Sequence, residues 1–250
     1  MHRGIAWLIV FGAVGALGAG AGCVANGGDE GILVLRNIEA TASSGGCVFT
    51  GAASETGLAQ GSLSVTTSVL TKVGYQVAPQ IKSRIIAATG QEDLRTIVIR
   101  GANVDITFPG SSLFSAAELA DLKASTLTHF MAPFSGFLPP NGGITDIPFE
   151  VIPAELMARV ANKTDFDGTL ALASFHIVGD LGGSDVTSQT FQFPVTLHKA
   201  PAFVDNGACS ALPASFVPST GNPCFPAQDG TTDCCTNQGH PVCPAVGTGG

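Results

Sequence analysis

The sequence has little charge and no concentration of positive charge. Only 12% of its 250 residues are Asp, Glu, Lys or Arg, and the formal net charge at pH 7 is -8. Binding to nucleic acid requires clustered Lys and Arg side chains. We therefore expect no nucleic-acid partner and no purely electrostatic attachment to an anionic lipid surface.

Tyrosine and tryptophan are almost absent. The chain has one tyrosine, Tyr75, one tryptophan, Trp7, and 15 phenylalanines. A sugar-stacking surface would therefore have to be built from phenylalanine. An envelope protein or a polysaccharide is nevertheless kept as a possible partner.

The sequence also lacks the common catalytic and nucleotide-binding motifs. It has no G-x-S-x-G, no phosphate-binding G-x-x-x-x-G-K-[ST] loop and no dinucleotide fingerprint. We expect no cofactor, no metal and no catalytic residue. The alternative is a secreted hydrolase or metal-dependent enzyme that uses three histidines predicted to lie in strands, His129, His176 and His198.

The one long apolar run lies at the N-terminus. It follows His2 and Arg3, extends from Ile5 to about Leu17 and leads into small residues. This order is typical of a secretory signal peptide, and the run is shorter than a membrane-spanning helix requires. We predict that residues 1–22 are removed.

The residues around Cys23 favour lipid attachment. The segment ending in "GAGC" resembles the lipobox of bacterial lipoproteins, in which the cysteine is acylated and becomes the mature N-terminus. Gly20 stands where that motif prefers leucine. Ordinary cleavage after Ala21 is the alternative.

Parity of the cysteines supports the same interpretation. Seven cysteines cannot all pair, whereas six remain once Cys23 is acylated: Cys47, Cys209, Cys224, Cys234, Cys235 and Cys243. Six cysteines in an exported chain suggest three structural disulfides. We predict that Cys47 pairs with Cys209 and that the last four pair among themselves. A zinc site that includes His240 is the alternative.

Alternating hydrophobicity predicts an all-β domain. Residues 23–31 are predicted as a flexible spacer, 32–204 as the domain, and 205–250 as a Cys-rich tail rich in Pro, Gly, Ser and Thr. Segments with period two predict strands at the ranges 32–40, 62–68, 72–78, 96–108, 126–132, 145–153, 169–179 and 190–198. We expect an immunoglobulin-like antiparallel β-sandwich, with a sheet closed on itself as the alternative.

Local signals refine this picture. Ser115 and Glu118 form a capping box that predicts a short helix, and a second short helix is expected after Pro153. Gly101 should mark a bulge in its long strand. The stretch Asp165 to Gly168 favours a turn, with a calcium loop as the alternative.

Several short stretches are similar to those of uncharacterised exported lipoproteins of myxobacteria and related bacteria. They are "AGCVANGGDEGILVLRN", "GCVF" and "SFHIVGDLGGSDVTSQTFQFPVTL". The resemblance implies attachment to the outer membrane, because Val24 stands where an aspartate would favour inner-membrane retention.

These observations together predict a lipid-anchored cell-envelope protein. It would be held at the outer membrane by the lipid on Cys23, facing the periplasm or the outside, and would act as a non-catalytic binding or structural module. A freely secreted protein is the alternative location.

Overall fold

The computed structural model describes residues 30–43, 46–49, 57–90, 95–219, 221–222, 224–225 and 227–243. The predicted signal peptide, Cys23 and residues 23–29 of the predicted spacer lie outside these ranges. The first strand begins at Glu30, so the last two residues of the predicted spacer belong to a strand.

Strands dominate the described part of the chain, and three α-helices interrupt them. The strands are β1 (Glu30–Ile38), β2 (Thr41–Ser43), β3 (Gly46–Val48), β4 (Gly57–Leu58), β5 (Gly61–Ser64), β6 (Tyr75–Val77), β7 (Pro79–Ser83), β8 (Ile97–Thr107), β9 (His129–Leu138), β10 (Ile144–Asp146), β11 (Phe149–Ile152), β12 (Thr169–Leu181), β13 (Ser184–Ser188), β14 (Phe191–His198), β15 (Phe203–Ala208), β16 (Thr232–Asn237) and β17 (His240–Val242). The helices are α1 (Val65–Thr71), α2 (Ala116–Ala124) and α3 (Ala154–Ala161).

The main element is a ten-stranded mixed sheet centred on β12. One edge of β12 pairs with β8, which in turn pairs with β9. The other edge is shared, because β14 pairs along residues 169–175 and β13 along residues 178–181. Beyond β14 lies β5, and beyond β13 lie β1, β7 and β10. The pairs β1–β13 and β5–β14 are parallel.

The predicted immunoglobulin-like antiparallel sandwich is therefore wrong. The buried face of the main sheet is covered by the two-stranded sheet β6–β11 and by α1 and α3, which pack against each other. Alternation along a strand shows that one face is buried, but it shows neither the direction of the neighbouring strand nor what covers that face. The described domain is mixed α/β.

Part of one predicted strand is a helix. The predicted strand 62–68 ends as β5 at Ser64, whose side chain accepts a hydrogen bond from the Thr67 amide and caps α1. An N-cap serine satisfies an amide that the first helical turn leaves without an intrahelical partner. Here the local capping signal prevails over the β preference of the valines and threonines that follow.

The bulge expected at Gly101 is present and changes which residues face the core. The register of β8 shifts between Ile99 and Gly101 relative to both neighbouring strands. The buried side chains of β8 are therefore Ile97 and Ile99 before the bulge and Ala102, Val104 and Ile106 after it. The extra residue turns the later part of the strand back onto the core.

Two local helix predictions are confirmed. α2 begins after Ser115 with the reciprocal Ser115–Glu118 capping box, and α3 begins after Pro153. In the main sheet, β13 and β14 both run antiparallel to β12 and follow each other along the same edge.

Three disulfides join all six candidate cysteines in a pattern that differs from the predicted one. Cys47 pairs with Cys224, Cys209 with Cys235, and Cys234 with Cys243. The first connects the β2–β3 hairpin to the C-terminal region, and the other two hold the small sheet β15–β16–β17. Because these bonds persist in oxidising compartments, they indicate an extracytoplasmic protein.

Candidate functional site

An open groove of about 450 Å³ lies beside β9. Its walls come from β9, from the segment around β11 and from the first turn of α3. The side chains that give it its chemical character are Leu127, Phe130, Phe134, Phe149, Glu150 and Glu155. A cavity of this volume is large enough for a small organic ligand.

The groove follows the edge of β9. Residues 130–134 all line it, although successive side chains of a strand point to opposite faces. Only an edge presents five consecutive residues to the same space. In the part of the chain that the structure describes, β9 pairs with β8 along one edge, and the other edge of β9 has no strand partner.

Aromatic side chains form the floor of the groove and join it to the core. The rings of Phe134 and Phe149 stack with their centroids 4.8 Å apart, and Phe149 meets Phe175 of β12 edge-on at 5.2 Å. Alternation places Phe130 and Phe134 on the inner face of β9, and Phe149 begins β11 on the covering sheet. Packing between the main sheet and the covering sheet therefore holds the aromatic rings of the floor in place.

Two carboxylates make the groove acidic. Oε2 of Glu150 accepts hydrogen bonds from the Gly74 amide at 3.1 Å and from Nε2 of Gln76 at 3.4 Å. Burial raises the pKa of Glu150, the Gly74 amide opposes that shift, and the nearby carboxylate of Glu155 adds to it. No Lys, Arg or His side chain is among the residues that line the groove, so its charged groups attract cations.

The three predicted strand histidines have separate partners. Nδ1 of His129 lies 2.6 Å from Oδ1 of Asp105, and Nε2 of His176 lies 3.1 Å from Nδ2 of Asn103. His198 is 3.9 Å from Asp167. His129 and His176 share the outer face of the sheet, with β8 between their strands, which separates their backbones by about 10 Å.

These positions do not assemble a metal centre or a catalytic group. Within the described ranges, no three His, Cys, Asp or Glu side chains are grouped as metal ligands. Asp167 accepts a hydrogen bond from the Lys199 amide, and Gly168 has a φ of 78° in the turn before β12. The local geometry at Asp165 to Gly168 is that of a turn, and the six paired cysteines offer no thiolate for zinc.

A buried polar network, which sequence patterns did not reveal, lies on the other side of the covering layer. The Tyr75 hydroxyl donates to Asp229, with its oxygen 2.7 Å from Oδ2, and the Ser62 amide donates to Oδ1 at 2.9 Å. Gln228 forms two hydrogen bonds with the backbone of Gln76. This network holds residues 227–229 against the domain, and no local motif could have predicted partners so far apart in sequence.

A second charged cluster joins α2 to the end of α3. Lys163 bonds Glu118 and lies 5.1 Å from the ring centroid of Phe114. The Lys163 ammonium, with donors from Ser115, lowers the pKa of Glu118 to about 2. These two charges pair with each other and link α2 to the segment that follows α3.

Comparisons with known proteins assign no family to this chain. No protein-family model matches it, and neither the curated proteins nor the solved structures contain a significant match. Among the described residues, no helix has both the length and the apolar character needed to cross a membrane.

Proposed function

We propose that this protein is a lipid-anchored, non-catalytic binding protein of the cell envelope, attached through Cys23 to the outer membrane. Its ligand is a small apolar molecule that carries a positive charge, bound in the groove beside β9. The single observation that carries the proposal is the combination of a phenylalanine floor with two carboxylates in one groove.

The chemistry of the groove favours such a ligand over a neutral or anionic one. Phe130, Phe134 and Phe149 provide apolar surface and aromatic faces, and aromatic faces attract cations. Glu150 and Glu155 provide the negative charge. An anionic ligand of the same shape would be repelled by both carboxylates.

The extracytoplasmic location supports the rest of the proposal. Three disulfides stabilise the described domain, and the sequence before it has the layout of a lipoprotein signal peptide. Mass spectrometry of the mature protein without reduction tests the anchor. The expected mass corresponds to a chain that begins at Cys23 with attached acyl groups and six cysteines in disulfides. A mature chain that begins at Val24 or Gly22 without acyl mass would contradict the anchor.

Three probes with similar carbon skeletons test the groove. Phenethylamine is cationic, phenethyl alcohol is neutral and phenylacetate is anionic at pH 7. We expect phenethylamine to bind most tightly and to perturb the NMR signals of residues 130–134 and 149–150. Equal binding of the three probes, or perturbations elsewhere only, would overturn the proposed ligand class.

Substitution of Glu150 isolates the role of charge. Glu150→Gln keeps an oxygen that can accept from the Gly74 amide but removes the negative charge. We expect the Kd of phenethylamine to rise about five-fold or more, because the variant loses about 1 kcal/mol of attraction for the cation. The Kd of phenethyl alcohol should not change. Asp121→Asn, an exposed change on α2 away from the groove, is the matched control and should leave both affinities unchanged.

A further inference from the structure

The chain enters the described domain at one particular end of the main sheet. The Gly31 carbonyl accepts a hydrogen bond from the Arg84 amide at 2.9 Å, and Gly31 lies against Ile85 and Val186. The Asn141 amide donates to the Ile85 carbonyl at 2.7 Å. The start of β1, the segment after β7, the turn after β9 and the turn between β12 and β13 therefore meet. We call residues 82–90, 95–100, 137–144 and 180–186 the anchor end.

Large apolar side chains are exposed at the anchor end. Ile86 is 83% exposed, Phe137 70%, Ile144 51% and Val98 41%. Phe137 lies directly opposite Val98 across the β8–β9 ladder. The Ala87 amide donates to Oδ1 of Asn141 at 2.9 Å, which holds the Ile86 segment beside the turn that follows Phe137. Scattered exposed apolar residues are ordinary, but four at the end where the chain enters indicate a contact surface.

Basic residues are also concentrated there. The sequence has 11 Lys and Arg residues, of which Arg3 lies in the predicted signal peptide, so ten remain. Four of those ten belong to the anchor end: Lys82, Arg84, Arg95 and Arg100. Asp180 and Asp185 are the described acidic residues of the anchor end, and Glu30 begins β1 beside it. Asp185 forms an ion pair with Arg100 at 2.5 Å. Glu92 and Asp93 lie in the neighbouring stretch outside the described residues.

We propose that the anchor end rests on the bilayer that holds the lipid of Cys23, with Ile86 and Phe137 at the level of the headgroups. This inference rests on the proposed anchor. Seven residues, 23–29, separate Cys23 from β1, and even fully extended they reach only about 25 Å. The domain therefore stays near the membrane, and the end with exposed apolar tips and basic side chains is the one that suits an interface.

This orientation leaves the groove accessible. β9 runs from His129 to Leu138, and Phe137 near its last residue belongs to the anchor end. The groove is lined by residues 126–127, 130–134, 148–150, 153 and 155, towards the opposite end of that strand. A bilayer under the anchor end would therefore not cover the groove.

A single tryptophan reports the contact. The chain without residues 1–22 has no tryptophan, because the only one is Trp7. We would place the lipidated protein carrying Phe137→Trp in phosphatidylethanolamine and phosphatidylglycerol vesicles and add brominated phosphatidylcholine as a quencher. Leu70→Trp on α1 is the matched control, since Leu70 is 77% exposed and lies outside the anchor end.

The expected result is emission from Trp at position 137 that shifts to shorter wavelength and falls about two-fold or more with brominated lipid. Emission from Trp at position 70 should stay unquenched. Equal behaviour of the two variants in acylated protein would overturn the membrane contact while leaving the anchor intact. Intact mass of the same samples separates the two proposals, because a chain without acyl groups overturns both.

Discussion

The hydroxyl of Tyr75 donates a hydrogen bond to the carboxylate of Asp229, 154 residues further along the chain. Tyr75 is fully buried, and Asp229 also accepts from the Ser62 amide. Burial raises the pKa of Asp229, and hydrogen bonds from Ser62, Tyr75 and Gln228 oppose the shift. A partly buried carboxylate is stabilised by such donors, so the C-terminal region and the covering layer stabilise each other.

Replacing Tyr75 with phenylalanine should destabilise the protein. Tyr75→Phe removes a buried hydroxyl that donates to the partly buried carboxylate of Asp229, and it keeps the ring that packs 5.7 Å from Phe193, centroid to centroid. We expect a loss of about 1–3 kcal/mol in the free energy of unfolding, measured by urea denaturation. Thr66→Val removes an exposed hydroxyl bond to the Lys199 carbonyl and is the control, with an expected change within about 0.5 kcal/mol. Equal losses of unfolding free energy in the two variants would show that the Tyr75–Asp229 hydrogen bond stabilises the protein no more than an exposed one.

Tyr75 should also resist ionisation in the folded protein. Burial, then the negative charge of Asp229, raises the pKa of Tyr75 far above its usual 10.0. After a rapid jump to alkaline pH, tyrosinate absorbance should be absent until the protein unfolds. Because this is the only tyrosine, the signal has a single source. Immediate ionisation of the folded protein with a pKa near 10 would contradict the buried geometry.

The same shift makes stability depend on pH. Above pH 10 the unfolded chain releases the hydroxyl proton and the folded chain keeps it, so the folded state binds more protons. The contribution of Tyr75 is fully present below pH 10 and is lost as pH rises, by about 1.4 kcal/mol for each further pH unit. Denaturation of Tyr75→Phe at the same pH values should show a shallower loss.

Gly101 should tolerate substitution poorly. Its φ is 155°, and a Cβ there would lie 2.5 Å from the Ala132 carbonyl oxygen on β9. We expect Gly101→Ala to cost about 2 kcal/mol or more through strain at a site where the backbone cannot move aside. Gly182→Ala in the β12–β13 turn also has a positive φ but has open space around it, so its cost should be about 1 kcal/mol. The free energy of unfolding of Gly182→Ala measures the cost of a positive φ alone. The larger loss expected for Gly101→Ala includes the clash with the Ala132 carbonyl.

The disulfides should differ in their contribution to stability. Cys47 and Cys224 are 177 residues apart in sequence, whereas Cys234 and Cys243 are nine apart. If a disulfide acts by restricting the unfolded chain, removing the first pair costs about 2–3 kcal/mol more than removing the second. Paired Cys→Ala variants and urea denaturation measure this difference. A larger cost for the short loop would show that local packing of the C-terminal sheet outweighs chain entropy.

Local interactions allowed parts of the structure to be predicted from sequence. The Ser115–Glu118 capping box, the helix after Pro153, the bulge at Gly101 and most of the long strands depend on neighbours a few residues apart. The groove was not predicted, because Phe134 and Phe149 belong to different layers and nothing in the sequence shows that they stack.

By itself the amino-acid sequence determined most of the long strands, where two of the helices begin and which six cysteines could form disulfides, because these follow from periodicity, capping and composition. The tertiary structure decided that β1 and β5 pair in parallel, that helices and a small sheet cover the main sheet, and that Cys47 pairs with Cys224. It also decided that Tyr75 meets Asp229. Each of these depends on packing between segments far apart in the chain, where burial of the whole core selects the partner and no local pattern specifies it.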